Sequence, residues 1–191
     1  MEYSDTLAIG SEPGEIEDEA LLVEAARTNP VAFEPLYQRY RVRMYRYLFF
    51  RVRNDEDAAD LTQQVFLKAM SALPNYRARG IPFAAWLFRI AHHAANDTYR
   101  REKRALSWDT LSDDTQLISE IDPEVIVLQQ ERLARLRHLL DQLDLYKREL
   151  LALRFSGGLS ATEIALVVGK SQAAVKKQLT RTLQGLKEQM V

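Results

Sequence analysis

GLSATEIALVVGKSQAAVKKQLTRTLQGL, residues 158–186, carries its own punctuation. Ser160 followed three residues later by Glu163 is a capping box, the signature of a helix start. Ile164, Ala165 and Val168 then form a short apolar stripe. Gly169 permits the left-handed residue that ends a helix, and Ser171 can cap the next one. In that second helix Val175, Leu179, Leu183 and Leu186 fall on one side. Gln172, Ala173, Lys176, Lys177, Thr180 and Arg181 fall on the other. Two short helices about a tight turn make a helix-turn-helix. The second presents amide, hydroxyl and cationic groups, which is what major-groove reading requires. An ordinary helical hairpin with a solvated outer face has the same spacing. The caps, the glycine turn and the clustered bases together favour a DNA contact.

Upstream the apolar residues also recur at helical spacing, and strict alternation is absent. Phe33, Tyr37, Tyr40, Met44 and Leu48 mark one face of a helix from about Pro30 to Arg53, with Pro35 bending it or delaying its start. Val42 and Phe49 lie opposite, so this helix is expected to be covered on two sides. Asn54 caps a second helix whose first turn holds Asp55, Glu56 and Asp57. Its inner face is Leu61, Val65, Phe66, Ala69 and Leu73, and Pro74 stops it. Pro82 opens a third helix with inner residues Phe83, Trp86, Leu87, Ile90 and Ala94. The pattern vanishes into SWDTLSDDTQLISEIDP, residues 107–123, and returns with Leu133, Leu136, Leu140, Leu143, Leu150, Leu151 and Leu153. The expected fold is all-α: two small helical domains joined by a flexible acidic linker. The divisions are an acidic tail at 1–18, a first domain at 19–104, the linker at 105–124 and a second domain at 125–191.

The 191 residues have a formal charge of −1 and no cysteine. Zero Cys excludes disulfides and thiol catalysis and fits a reducing, cytoplasmic setting. The acidic N-terminus lacks the basic-then-apolar order of a signal peptide. No apolar run is long enough to span a bilayer, so no membrane insertion is expected. The near-neutral total conceals segregation: −8 over 1–26, +8 over 27–104, −7 over 105–131 and +6 over 132–191. Two basic blocks between acidic stretches suggest two modules facing a polyanion, although a solvated surface gives the same split.

On the third helix Arg89, His92, His93, Asn96, Arg100 and Lys103 form a polar stripe opposite Trp86. Cations beside His and Asn, with Tyr76, Trp86 and Tyr99 nearby, can track a backbone and hold unstacked bases. Taken alone, such a stripe is more often a solvated face. Adjacent His92 and His93 point in different directions and lack a third ligand, so no metal is expected. On the second helix Asp57, Asp60, Gln63, Gln64 and Leu67 form the exposed side, where an outward Leu among acids and amides suits a protein contact. With no Gly-rich phosphate loop and only His92, His93 and His138 as imidazoles, neither a cofactor nor an enzyme activity is expected.

In this order the parts resemble the extracytoplasmic-function type of sigma factor, from Glu19 over nearly the whole chain. AFEPLYQRYRVRMYRYL is similar to the first conserved helix of that family's second region, and DAADLTQQVFLKAMSAL to its polymerase-binding segment. PFAAWLFRIAHHAANDTYRREKR resembles the helix that melts and reads the −10 promoter element. LLDQLDLYKRELLALRFSGGLSATEIALVVGKSQAAVKKQLTRTLQGL resembles the fourth region, which reads the −35 element. The resemblance implies an alternative sigma factor, with core RNA polymerase, promoter DNA and an anti-sigma factor as partners. It implies that Asp57, Asp60, Gln63, Gln64 and Leu67 meet the clamp helices of the largest polymerase subunit. It assigns −10 DNA to the loop Asn75–Gly80, with Tyr76 and Arg77, and to Trp86, Arg89, His93, Asn96, Arg100 and Lys103. It assigns the −35 element to Ser171, Gln172, Ala173, Lys176, Lys177, Thr180 and Arg181. Ala173 and Gln178 replace the family's usual Gly and Arg, so the −35 sequence does not carry over. The alternative from the residues alone is a dimeric helix-turn-helix regulator that binds an operator without polymerase.

Overall fold

A computed structural model describes residues 13–77, 80–105 and 123–190. Among them are eight α-helices: α1 (Pro13–Thr28), α2 (Glu34–Val52), α3 (Asp55–Ala72), α4 (Phe83–Ala105), α5 (Pro123–Gln142), α6 (Leu145–Leu151), α7 (Ala161–Val168) and α8 (Gln172–Met190). No strand occurs among the described residues.

Local chemistry sets most boundaries. Pro35 delays the start of α2 to Glu34, and a 3-10 turn over Pro30–Phe33 precedes it, capped by the Asn29 side chain. Asn54 accepts from the Asp57 N–H at 3.0 Å and starts α3. A 3-10 turn at Leu73–Asn75 carries Pro74 and ends it. The Trp86 N–H donates to the Pro82 carbonyl as α4 begins. The expected inner faces are buried: Phe33, Tyr40, Met44 and Leu48 on α2 and its entry, all five residues on α3, and Phe83, Leu87 and Ala94 on α4.

Three expectations change. The acidic tail at 1–18 is helical from Pro13, and Val23 and Ala26 of α1 are buried. Glu19 accepts a hydrogen bond from the Tyr40 hydroxyl, which fixes α1 to α2. Val42 is exposed and Phe49 only half-buried against the Tyr45 ring, so they do not form the second covered side of α2. That side exists, but Arg43, Tyr47 and Arg51 make it. On α5, Leu133 is exposed, and among the described side chains of that helix Leu139 is the buried one. The linker lies outside the described residues over 106–122.

The two helical halves pack on one another. A π-helical turn over Ala152–Ser156 follows α6 and runs beside α2, and α7 rests against α4. A Cβ at Gly157 would come within 2.9 Å of Cε1 of Phe88 and 2.8 Å of the Leu153 carbonyl oxygen, so the close approach requires glycine there.

Candidate functional site

The helix-turn-helix follows its sequence closely. Ser160 accepts from the Glu163 N–H at 3.2 Å, and the Glu163 carboxylate accepts from the Ser160 N–H at 2.8 Å. Gly169 sits at φ +67°, where an L side chain is strained. Ser171 accepts weakly from the Ala174 N–H at 3.3 Å and begins α8. Val175, Leu179 and Leu186 are buried and Leu183 is half-buried. Ser171, Gln172, Ala173, Lys176, Lys177, Thr180 and Arg181 are all exposed, along one outward face.

On α3, Asp57, Asp60, Gln63, Gln64 and Leu67 are likewise exposed, with Leu67 60% accessible and Met70 partly so. Buried Thr62 turns its hydroxyl back to the Ala58 carbonyl at 2.7 Å. The polar outer face and the apolar inner face of α3 therefore separate cleanly.

The surface near α4 divides. Arg89, His93 and Arg100 are exposed, as is Asn75. Arg77 is exposed, and its guanidinium folds back onto the Pro74 and Tyr76 carbonyls at 3.1 Å each. Trp86 is half-buried, 4.9 Å from Tyr76 and 5.4 Å from Phe83 between ring centroids. Tyr76 does not offer the open stacking ring its loop position suggested. It is 7% exposed, packs edge-on against Phe83, and donates its hydroxyl to the Ile81 carbonyl at 2.7 Å. The Lys103 side chain and residues 78–79 lie outside the described residues.

Asn96 also departs from an open stripe. Its Oδ1 accepts from Arg51 at 2.7 Å, and its amide lies 3.0 Å from Nε2 of His92. His92 Nδ1 is 2.8 Å from Glu149, which also accepts from the Tyr47 hydroxyl at 2.6 Å and pairs with Arg51 at 2.6 Å. With Nδ1–H donating to the carboxylate, Nε2 is left to accept from the Asn96 amide. Glu149 is 3% exposed and Tyr47 has no exposed surface. Burial pushes the Glu149 carboxyl up, but His92, Arg51 and Tyr47 outweigh it and leave the group below its ordinary value. Burial and the adjacent carboxylate push the Tyr47 phenol well up. Arg43 reinforces the junction by donating to the Gly157 carbonyl at 2.6 and 2.9 Å, and Arg53 pairs with Asp141.

Sequence reasoning did not single out Tyr47, Arg51, Arg43 or Glu149. Two signals were present: Arg43, Tyr47 and Arg51 repeat every four residues, and Glu149 interrupts an apolar run. Neither identifies its partner without the fold. No cluster of groups able to hold a metal occurs among the described residues. No described helix is long and apolar enough to cross a membrane.

Comparison with known proteins gives two family matches: Sigma-70 region 2 over residues 36–105, and Sigma-70, region 4 over 133–186. The "ECF RNA polymerase sigma factor SigD" of Mycobacterium tuberculosis is 33% identical over 177 residues, covering 91% of this chain and 84% of that protein. The "ECF RNA polymerase sigma factor SigX" of Bacillus subtilis is 29% identical over 166 residues, covering 83% of each. Among solved structures, CnrH in complex with the cytosolic domain of CnrY aligns with a TM-score of 0.65 and 28% identity, over 88% of this chain and 94% of that one. The sigma factor RpoE bound to the anti-sigma factor NepR, from Bartonella quintana, shares the fold, with a TM-score of 0.56 at 17% identity over 91% and 94%.

Proposed function

The chain belongs to the extracytoplasmic-function RNA polymerase sigma factors, and on that footing we propose how its surfaces divide the work of starting transcription. It is an alternative sigma factor, which directs RNA polymerase to promoters. The exposed face of α3, with Asp57, Asp60, Gln63, Gln64 and Leu67, binds the clamp helices of the largest polymerase subunit. Acids set orientation there, and the outward Leu67 supplies apolar area. Arg89, His93 and Arg100, joined by Trp86 and by Asn96 once it is free, hold the separated strand of the −10 element. Unstacking a base costs a few kcal/mol, which contacts to the extruded base offset. The outer face of α8 reads the −35 element as duplex, with Lys176, Lys177 and Arg181 on phosphate or guanine and Gln172 on adenine.

The first domain runs to about residue 104 and the second from about 125. The chain supplies no catalytic group, so bond formation belongs to the polymerase. It works in the cytoplasm, where both partners are. An anti-sigma factor, as in the complex of its RpoE neighbour, holds it in check.

The observation that carries this reading is the fully exposed polar face of α8 in the same chain as the exposed Asp60–Leu67 face of α3. The test is gel filtration with purified core polymerase, followed by run-off transcription on genomic fragments. Co-elution with core and discrete start sites are expected. A chain that binds duplex DNA but never co-elutes would be an operator-binding regulator instead.

A further inference from the structure

Glu149 belongs to the C-terminal half, yet its polar partners among the described residues, Tyr47, Arg51 and His92, all belong to the N-terminal half. Two hydrogen-bond donors and the Arg51 guanidinium converge on one carboxylate that is almost fully buried. On the N-terminal domain they amount to an anion site, and the other domain fills it. The same network occupies both ends of the Asn96 amide, a group facing the stripe assigned to the −10 strand.

This closed arrangement is at odds with the span the function demands. The −10 and −35 elements are separated by roughly 25 base pairs at about 3.4 Å each, about 85 Å of duplex. A compact chain of this length has a radius of gyration of about 16 Å and is about 42 Å across. The packed halves therefore cannot reach both elements together. The chain between Ala105 and Pro123 has a contour length of about 60 Å, enough for the halves to part.

We infer that Glu149 is an intramolecular latch: its carboxylate, seated on Tyr47, Arg51 and His92, holds the two promoter-reading domains together, and promoter engagement requires it to leave. The inference rests on the division of −10 and −35 reading proposed above. The chemistry suits a reversible contact. A buried ion pair specifies one geometry while giving little net stability over separated, hydrated ions, and removing one partner is costly because the other is left buried. Arg43 on the Gly157 carbonyl and the exposed Arg53–Asp141 pair close the same seam. Release restores water to Glu149 and Arg51, and leaves Arg51 and His92, the two partners of Asn96, without the carboxylate that fixes them.

The test uses the full chain without polymerase. Small-angle scattering should give a compact particle for the parent. Glu149→Lys and Arg51→Ala should each lower the closed-to-open ratio at least about tenfold, seen as a larger radius of gyration at unchanged helicity. The double variant should open no further than Glu149→Lys alone, because the Arg51 contact is one of the three that the Glu149 substitution already removes. A second arm leaves the cluster intact. Since the chain has no cysteine, Arg53→Cys with Asp141→Cys can be bridged by a short reducible bis-methanethiosulfonate. Bridged protein should lose run-off transcription from a promoter carrying both elements, and reductant should restore it. An extended parent, additive effects of the two variants, or undiminished initiation by bridged protein overturns the latch. Failure of the unmodified chain to initiate with core would instead defeat the sigma-factor reading, and the scattering result would still decide whether the latch exists.

Discussion

The outer face of α8 and the polar stripe of α4 are both surfaces assigned to DNA, and they differ in how they are held. Every α8 residue proposed to meet DNA is exposed, and the helix is positioned by its own neighbours: a capping box, a left-handed glycine and a buried Val175–Leu179–Leu186 seam. The stripe on α4 is shared. His93 and Arg89 are open, while His92 is held by Glu149 of the other half and Asn96 by Arg51 and His92, the residues on which that Glu149 sits. A reading surface built from local signals is presented whether or not the rest of the protein is in place. One built from long-range partners can be withheld.

The largest expected effect is on α3, which lies outside this contrast and serves as its reference. Asp60→Arg reverses charge on an exposed face and should weaken core binding by about 2–5 kcal/mol in a competition assay, with helicity intact. Gln64→Arg should act in the same direction and less strongly. Unchanged affinity for core in the Asp60 variant would remove this face from the polymerase contact. Next comes α8. Arg181→Ala should cost about 1–3 kcal/mol of duplex −35 binding if the guanidinium meets a base edge, and less if it meets only phosphate. Lys176→Ala should reduce the salt dependence of that binding. If neither variant alters recruitment to duplex promoter, α8 is scaffold and the contrast collapses.

The α4 stripe should then split along the line the network draws. His93→Ala and Asn96→Ala should both impair open-complex formation, by about 1 kcal/mol for each lost hydrogen bond, with part of the defect rescued on a pre-melted bubble template. Only Asn96→Ala should also loosen the closed arrangement, because only Asn96 bonds Arg51 and His92. Permanganate footprinting on duplex and bubble templates reads the first effect, and scattering from free protein reads the second. Equal behaviour of the two variants in both assays would mean that the network does not withhold Asn96.

The same distinction governs what the sequence disclosed. Asn54, Pro74, Pro82, Ser160 and Gly169 act within a few residues of themselves, so the boundaries of α3, α4 and α7 could be read directly. The all-helical class follows from spacing alone. Helix α1 could not be read, because among its described side chains only Val23 and Ala26 are buried and its anchor is a carboxylate bonded to Tyr40, twenty-one residues away. Tyr76 resembled a stacking platform in a basic loop, and a carbonyl at Ile81 with two rings draws it into the core. The covered side of α2 was expected from apolar Val42 and Phe49. Polar Arg43, Tyr47 and Arg51 make it, because their partners lie about a hundred residues further on. Polar burial is visible only when both partners are.

The smallest expected effect tests whether the two halves behave as one body. Asn54 caps α3 in the N-terminal half, and Ser160 caps α7 in the C-terminal half. Each satisfies an N–H that would otherwise lack a partner, and neither side chain bonds a member of the Glu149 network. Asn54→Ala and Ser160→Ala should each cost about 1 kcal/mol, with Ser160 the larger because its hydroxyl also donates to the Glu163 carboxylate. In the closed protein the Glu149 network should couple the halves, so either substitution shifts a single thermal transition by a few degrees. Adding Arg51→Ala to either variant should uncouple them, leaving two transitions of which only the one belonging to the substituted half moves. Calorimetry distinguishes the cases. Two independent transitions in the parent itself would mean that the junction transmits no stability, and that α4 is as free to present its stripe as α8 is to present its own.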